Sequence, residues 1–269
     1  MSPHIKRWIS GVIAVPILFA IIFYGSEVVF TAFITFVILG AVIEYNRMVF
    51  NGGFTWEKWE GLTVALLIPL AVFWGDLHIV LAVIVFSVLS IFIIFLLRIS
   101  NHSFDIAPVS KLVLGLMYIP FMLSHFILLR ISQDGAIWIF LVLVIAFSGD
   151  ITAYYVGKTI GKKKLIPLIS PGKTVEGTIG LLVGSILGCM LFREFFYQTI
   201  SIFHAVTLGL LGGILGQLGD LCESAIKRAS GVKDSGSVIL GHGGLLDRLD
   251  CLIFIAPFVY YYRLFMITL

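Results

Sequence analysis

Nine apolar runs dominate this chain, and they leave few folds open to it. They occupy residues 9–24, 28–43, 61–74, 77–97, 109–129, 136–155, 178–192, 203–219 and 251–267. A helix needs about 20 apolar residues to cross the hydrocarbon core of a bilayer. Most of the runs reach or approach that length, the third and seventh being the shortest. Hydrophobic residues make up 59% of the 269 and charged ones only 12%. A soluble domain is about half apolar and about a quarter charged. No water-soluble fold of this size could bury so much apolar side chain. The expected fold class is therefore all-α, a polytopic membrane protein with about nine transmembrane helices. Lys6 and Arg7 ahead of the first run could mark a signal peptide. No small-residue cleavage site follows, and Ser26-Glu27 leads straight into the second run, so residues 9–24 read as the first span. Residues 1–135 then form N-terminal membrane helices, and residues 136–269 carry the polar loops, within one integrated membrane unit.

Nine spans place the termini on opposite sides. With the N-terminus in the cytoplasm, 15 of the 18 Lys and Arg residues lie inside, leaving Arg130, Arg193 and Arg263 outside. The positive-inside rule selects that orientation. The expected location is the cell inner (plasma) membrane, multi-pass. Two polar segments stand out, 157–177 and 220–250. Two spans separate them, so both emerge on the cytoplasmic face. No other stretch is long and polar enough to hold a charged substrate. The net charge of +3 comes without a block of like charge, so no nucleic-acid partner is expected. Cys189, Cys222 and Cys251 are odd in number and lack CxxC spacing. They read as small apolar fillers, with neither a disulfide framework nor a zinc site.

Charge is costly at membrane depth, which makes near-membrane carboxylates functional candidates. Asp150 lies inside the sixth run, Asp220 ends the eighth, and Asp247 and Asp250 open the ninth. If residues 246–250 are helical, Asp247 and Asp250 share one face. If the eighth helix continues past the membrane, Asp220, Glu223, Ser224, Lys227 and Arg228 line up on one face. Clustered Asp oxygens suit a hard cation such as magnesium, which takes few carboxylates plus substrate phosphates. The structural alternative is that these acids merely pair with Lys227 or Arg248 at the membrane interface. Within the eighth run, Gly209, Gly212, Gly213, Gly216 and Gly219 fall on one face. Small residues let helices approach closely in lipid, and such packing would hold Asp220 tightly against another helix.

The segment from Ser170-Pro171-Gly172-Lys173-Thr174 to Gly177 pairs a turn with a lysine able to reach a phosphate, ahead of a helix N-terminus that favours anions. It lacks the earlier glycine of a P-loop. Lys162, Lys163 and Lys164 read as an anchor near anionic headgroups. Gly241-His242-Gly243-Gly244 lets backbone close on a phosphate, and His242 could donate to an anion or move a proton.

Ser224-Ala225-Ile226-Lys227-Arg228, then Lys233-Asp234, then His242-Gly243-Gly244-Leu245-Leu246-Asp247-Arg248-Leu249-Asp250 resembles the signature of the phosphatidate cytidylyltransferase (CDP-diacylglycerol synthase) family. Order and spacing hold over 27 residues. Asp150-Ile151-Thr152-Ala153-Tyr154 and Ser170-Pro171-Gly172-Lys173-Thr174 resemble that family's other shared stretch. Leu240 stands where the family usually has proline or a small residue. The resemblance implies CTP and phosphatidic acid as substrates, CDP-diacylglycerol and pyrophosphate as products, magnesium as cofactor, and a homodimer. It leaves a second cation, a monovalent one included, open. Asp220, Asp247 and Asp250 are then the metal-organising carboxylates. Lys173, Lys227, Arg228, Lys233 and Arg248 are the phosphate contacts, Gly243 and Gly244 line the nucleotide, and Asp234 and His242 are further catalytic candidates. Asp150 is a site carboxylate without an assigned role. The competing class is an ion-coupled transporter that uses the same buried acids. Within enzymes, a CDP-alcohol phosphotransferase would need an Asp-Gly-x-x-Ala-Arg stretch and a prenyltransferase an Asp-Asp-x-x-Asp, and neither is present.

Overall fold

A computed structural model describes residues 3–50, 56–98, 105–236 and 243–267. The helices are α1 (Pro3–Tyr24), α2 (Glu27–Val49), α3 (Trp56–Trp74), α4 (Leu77–Arg98), α5 (Ala107–Leu116), α6 (His125–Ile131), α7 (Gly135–Ile160), α8 (Val175–Phe196), α9 (Ile202–Ala229) and α10 (Asp250–Tyr262). A π-helical turn, Met117–Phe121, leads from α5 towards α6, and another, Arg263–Ile267, extends α10. Each of the nine apolar runs lies in a helical stretch. Among the described residues, seven such stretches are long and apolar enough to cross a membrane. The other two are α1, whose apolar part is Ala14–Tyr24, and α3, which opens with the charged Glu57, Lys58 and Glu60. The chain is an all-α polytopic membrane protein.

One element departs from that pattern. Strands β1 (Lys164–Ile166) and β2 (Ser170–Thr174) pair antiparallel between α7 and α8, with Lys164 opposite Thr174 and Ile166 opposite Ser170. Pro171 and Gly172 disfavour a helix here, so the polar loop folds back on itself. Thr174 then caps α8, its Oγ1 accepting from Gly177 N at 3.1 Å. Ser26 and Ser201 cap α2 and α9 in the same way. Such caps contribute about 1 kcal/mol each.

The chain divides into two compact units, residues 1–128 with 234–247, and residues 129–233 with 248–269. The segment 234–247 therefore groups with the N-terminal helices. In the first unit α2 is the core helix, burying Phe30, Ile38, Ala41, Val42 and Tyr45. Tyr45 Oη donates to Lys111 O at 2.8 Å, tying α2 to α5. Only Ser87 and Ile91 of α4 are buried, as suits a helix facing lipid on nearly every side. Around the π turn, Ser124 Oγ donates to Pro120 O at 2.6 Å, and His125 Nδ1 lies 3.1 and 3.0 Å from the carbonyls of Phe121 and Met122. In hydrocarbon, freed backbone groups must find partners inside the protein.

The second unit packs α7, α8, α9 and α10 around Trp138, Ile139, Val142, Leu208, Ile253 and Val259, all almost fully buried. The glycine face of α9 meets three helices rather than one. A Cβ on Gly209 would come 2.6 Å from Ile186 Cα on α8, one on Gly212 3.1 Å from Ile145 on α7, and one on Gly216 2.9 Å from Ile255 on α10. Ser185, fully buried on α8, donates to Ile145 O at 3.1 Å across the same interface.

Candidate active site

In the second unit, α9 runs on past its glycine face as one helix to Ala229. Asp220, Glu223, Ser224 and Lys227 consequently fall on one surface of it. Lys173, half-buried on β2, reaches Asp220, with Nζ 2.6 Å from Oδ2. Ser224 Oγ donates weakly to the other oxygen, Oδ1, at 3.4 Å. Glu223 is fully buried and forms an ion pair with Lys227 one turn along. Asp250 opens α10, and its Oδ1 accepts from Cys251 N at 2.8 Å. Gly219 lies directly against the Asp250 carbonyl, so the close approach of α9 and α10 sets the separation of Asp220 and Asp250. Asp150, exposed on α7, is within electrostatic reach of Asp220, Lys173 and Arg248. Asp250 is within reach of Asp220, Asp150 and Lys227. Three carboxylates and three bases, contributed by α7, β2, α9, the start of α10 and the turn before it, thus form one charged cluster.

In the first unit the signature's Asp247 sits in a single 3-10 turn, Leu246–Arg248, and α10 begins only at Asp250. The stretch 246–250 is not one continuous α-helix, so the expected pairing of Asp247 with Asp250 on one helix face does not form. Asp247 instead closes its own loop. Its Oδ2 accepts from Gly244 N at 2.8 Å and from Ser235 N at 3.1 Å. Gly243, at φ +81°, adopts a left-handed conformation that favours glycine. Gly244 is pressed against Ser235 Oγ and Glu44, leaving no room for a side chain.

Of the remaining expected residues, Arg228 staples loops together, donating from Nε to Ile169 O at 3.2 Å and from Nη1 to Val232 O at 3.1 Å. Lys233, Asp234 and Arg248 are exposed. His242 lies outside the described residues. The backbone N–H groups of Lys162 and Lys163 donate to Glu176 on α8, an ordering of that loop by a carboxylate to which the sequence pointed no attention. Two further carboxylates stand out in three dimensions. Glu223 holds Lys227, and Glu44, from α2, holds the 234–247 segment. Glu44 follows directly after the second apolar run, and the cost of charge at membrane depth was the signal that could have singled it out.

The matching family model is that of the cytidylyltransferase family, over residues 5–266. The chain belongs to the cytidylyltransferase family. Among its relatives is a phosphatidate cytidylyltransferase of Bacillus subtilis (strain 168), 41% identical over 162 residues, which are 60% of each chain. Another is a phosphatidate cytidylyltransferase of Synechocystis sp. (strain ATCC 27184 / PCC 6803 / Kazusa), 34% identical over 96% of this chain and 95% of its own. Membership favours the enzyme over the ion-coupled transporter.

The family resemblance implies a divalent cation, and the donor set of the second unit suits one. Asp150, Asp220 and Asp250 are hard oxygen donors, and magnesium needs only one or two carboxylates when phosphates complete its shell. Among the described residues, no group of three or more His, Cys, Asp or Glu forms a ready metal cage. A cation here would therefore rely on oxygens supplied by substrate.

Proposed function

We propose that the chain is a phosphatidate cytidylyltransferase, making CDP-diacylglycerol and pyrophosphate from CTP and phosphatidic acid in phospholipid biosynthesis. The observation that carries this reading is the 2.6 Å pairing of Lys173 with Asp220. It brings the lysine of a Pro-Gly loop of phosphate-handling type to an acid on a helix of a membrane bundle. The reaction needs that combination, because two polyanions must meet beside lipid.

The lipid phosphomonoester has a second pKa of about 6, so at neutral pH it is already largely a dianion. No strong base is required. One of its oxygens attacks the α-phosphorus of CTP, and the bond from that phosphorus to the oxygen bridging to the β-phosphate breaks. The electron pair leaves with pyrophosphate. The protein's task is to overcome repulsion between anions and to stabilise the charge that leaves. Lys173 exchanges its Asp220 partner for a phosphate oxygen. Lys227, held in place by Glu223, and Arg248 add positive charge to the same cluster. Arg228, Lys233, Asp234 and His242 remain candidates from the signature alone. Magnesium held by Asp220 and Asp250 beside Asp150 would neutralise the triphosphate, and Asp247 remains a metal candidate from the signature alone. The acyl chains enter sideways from the bilayer.

A cytoplasmic site at the inner membrane is supported by the positive-inside rule, since nine spans with the N-terminus inside put 15 of the 18 Lys and Arg residues on that side. A cysteine in place of Lys162, in a background lacking the native cysteines, should resist an impermeant thiol reagent in intact cells and react after permeabilisation. Labelling in intact cells at the rate of an external control would reverse the orientation. For the reaction itself, protein purified in detergent and given CTP, phosphatidic acid and magnesium should release pyrophosphate, and EDTA should stop it. Absence of lipid-dependent release refutes the activity, and turnover without any divalent cation refutes the metal assignment.

A further inference from the structure

Glu44 lies near the C-terminal end of α2 and is 1% exposed. Among the described residues no Lys or Arg pairs with it. Its Oε1 accepts from Leu245 N at 2.9 Å, and its Oε2 accepts from Leu246 N at 2.9 Å and from Ser235 Oγ at 3.0 Å. These partners lie at both ends of the segment 234–247, just ahead of Asp247. A Cβ on Gly236 would come 2.6 Å from Oε1 and one on Gly244 2.6 Å from Oε2, so the loop backbone is moulded onto this carboxylate. Asp247 accepts from Ser235 N and Gly244 N. Ser235 is thus held twice, by its hydroxyl to Glu44 and by its N–H to Asp247.

A buried carboxylate without a counter-ion is costly unless directed N–H and O–H groups replace its lost water. An apolar side chain would fill the same space at lower cost, but it would hold no particular register of backbone N–H groups. Hydrogen bonds to a carboxylate are shorter, stronger and more directional than those between neutral groups. The carboxylate therefore fixes Ser235 and the backbone of Leu245 and Leu246, just ahead of Asp247.

We infer that Glu44 is a positioning residue for the reaction, clamping Ser235 and the Leu245–Leu246 backbone so that Asp247 is presented in one fixed orientation. Helix α2 thereby acquires a role in catalysis that its apolar sequence does not announce. The kinetic part of this inference rests on the cytidylyltransferase reading, and the structural part does not.

The test uses full-length protein in detergent with Glu44→Gln, which keeps the size but sets an amide N–H2 against one of the three donors. Hydrogen exchange is the first readout. The amides of Leu245 and Leu246 should exchange roughly tenfold faster or more in the variant, because their acceptor is weakened. The second readout is steady-state kinetics per folded molecule. kcat should fall roughly tenfold or more with KM for CTP little changed, because a misdirected Asp247 affects the reaction more than nucleotide binding. The third is a double-mutant cycle. If Glu44 acts through Asp247, Glu44→Gln should cost little further in an Asp247→Asn background. Ser235→Ala removes one clamp bond only and should show the same pattern more weakly, which keeps the test open if Glu44→Gln folds poorly. Unchanged exchange at residues 245 and 246, unchanged kcat per folded molecule, or fully multiplicative effects in the cycle would each overturn the inference. A wild-type protein without CTP-dependent turnover would overturn the activity reading instead, and the exchange measurement would then decide the clamp by itself.

Discussion

The two units treat their acids differently. In the N-terminal unit, Glu44 and Asp247 are met by backbone N–H groups and a serine hydroxyl. In the C-terminal unit, Asp220, about a third exposed, is met by the flexible ammonium group of Lys173. A backbone donor cannot leave without unfolding its loop, whereas a lysine can swing to a new anion at small cost. The first arrangement holds a shape. The second leaves a lysine able to change partners. Acids of the same formal charge therefore predict different mutant behaviour in the two regions.

The largest contrast should come from two isosteric changes. Asp250→Asn should cut turnover roughly a hundredfold or more, by removing charge that stabilises the transition state. Its melting temperature should hold, because neutralising a carboxylate near the membrane does not raise its burial cost. Asp247→Asn should lower both turnover and stability, the latter by about 1–3 kcal/mol, because an amide N–H2 would face Ser235 N or Gly244 N. Magnesium-dependent rates and thermal melts on both variants check this. An Asp247→Asn protein that melts like wild type would remove the distinction, and near-normal turnover in Asp250→Asn would end its metal role.

Next in size is Lys173→Met, which keeps an apolar stem and deletes the exchangeable charge. kcat/KM for CTP should fall roughly ten- to hundredfold. A variant that loses stability but not specific activity would make Lys173 a structural partner of Asp220 rather than a phosphate ligand.

The glycines give a smaller effect, read in stability. Gly244→Ala would drive a methyl group into Ser235 and Glu44 and should cost about 1–3 kcal/mol. Gly172→Ala, on β2, meets nothing within 4 Å and should leave the melt unchanged. Equal melts for the two would mean that the 234–247 loop is not held tightly. Smallest are the single bonds. Tyr45→Phe removes the bond to Lys111 O, and Thr174→Ala removes the cap of α8. Each should cost about 1 kcal/mol. Denaturation curves on both variants would show whether fixed polar contacts are worth the same in the two units.

Much of this molecule is written locally and so was legible in one dimension. An apolar run of membrane length becomes a helix because lipid offers its backbone no other partner, and all nine runs proved helical. The signature's residue types and spacing marked the family, and the predicted continuation of α9 past Asp220 placed Glu223 and Lys227 one turn apart as read from the sequence. The convergence of Asp150, Lys173, Asp220 and Asp250 was a matter of packing, since glycines on α9 let three other helices approach at once. The break at Leu249 was invisible in the pattern, because a 3-10 turn and the start of an α-helix share the same short-range spacing. Glu44 was hidden most deeply. Its hydrogen-bond partners lie 191 to 202 residues away in the chain, and a carboxylate's preference for backbone N–H groups leaves no periodicity in the sequence. Only the fold, by bringing Ser235 and Leu245 to the end of α2, made that side chain the anchor of these backbone groups.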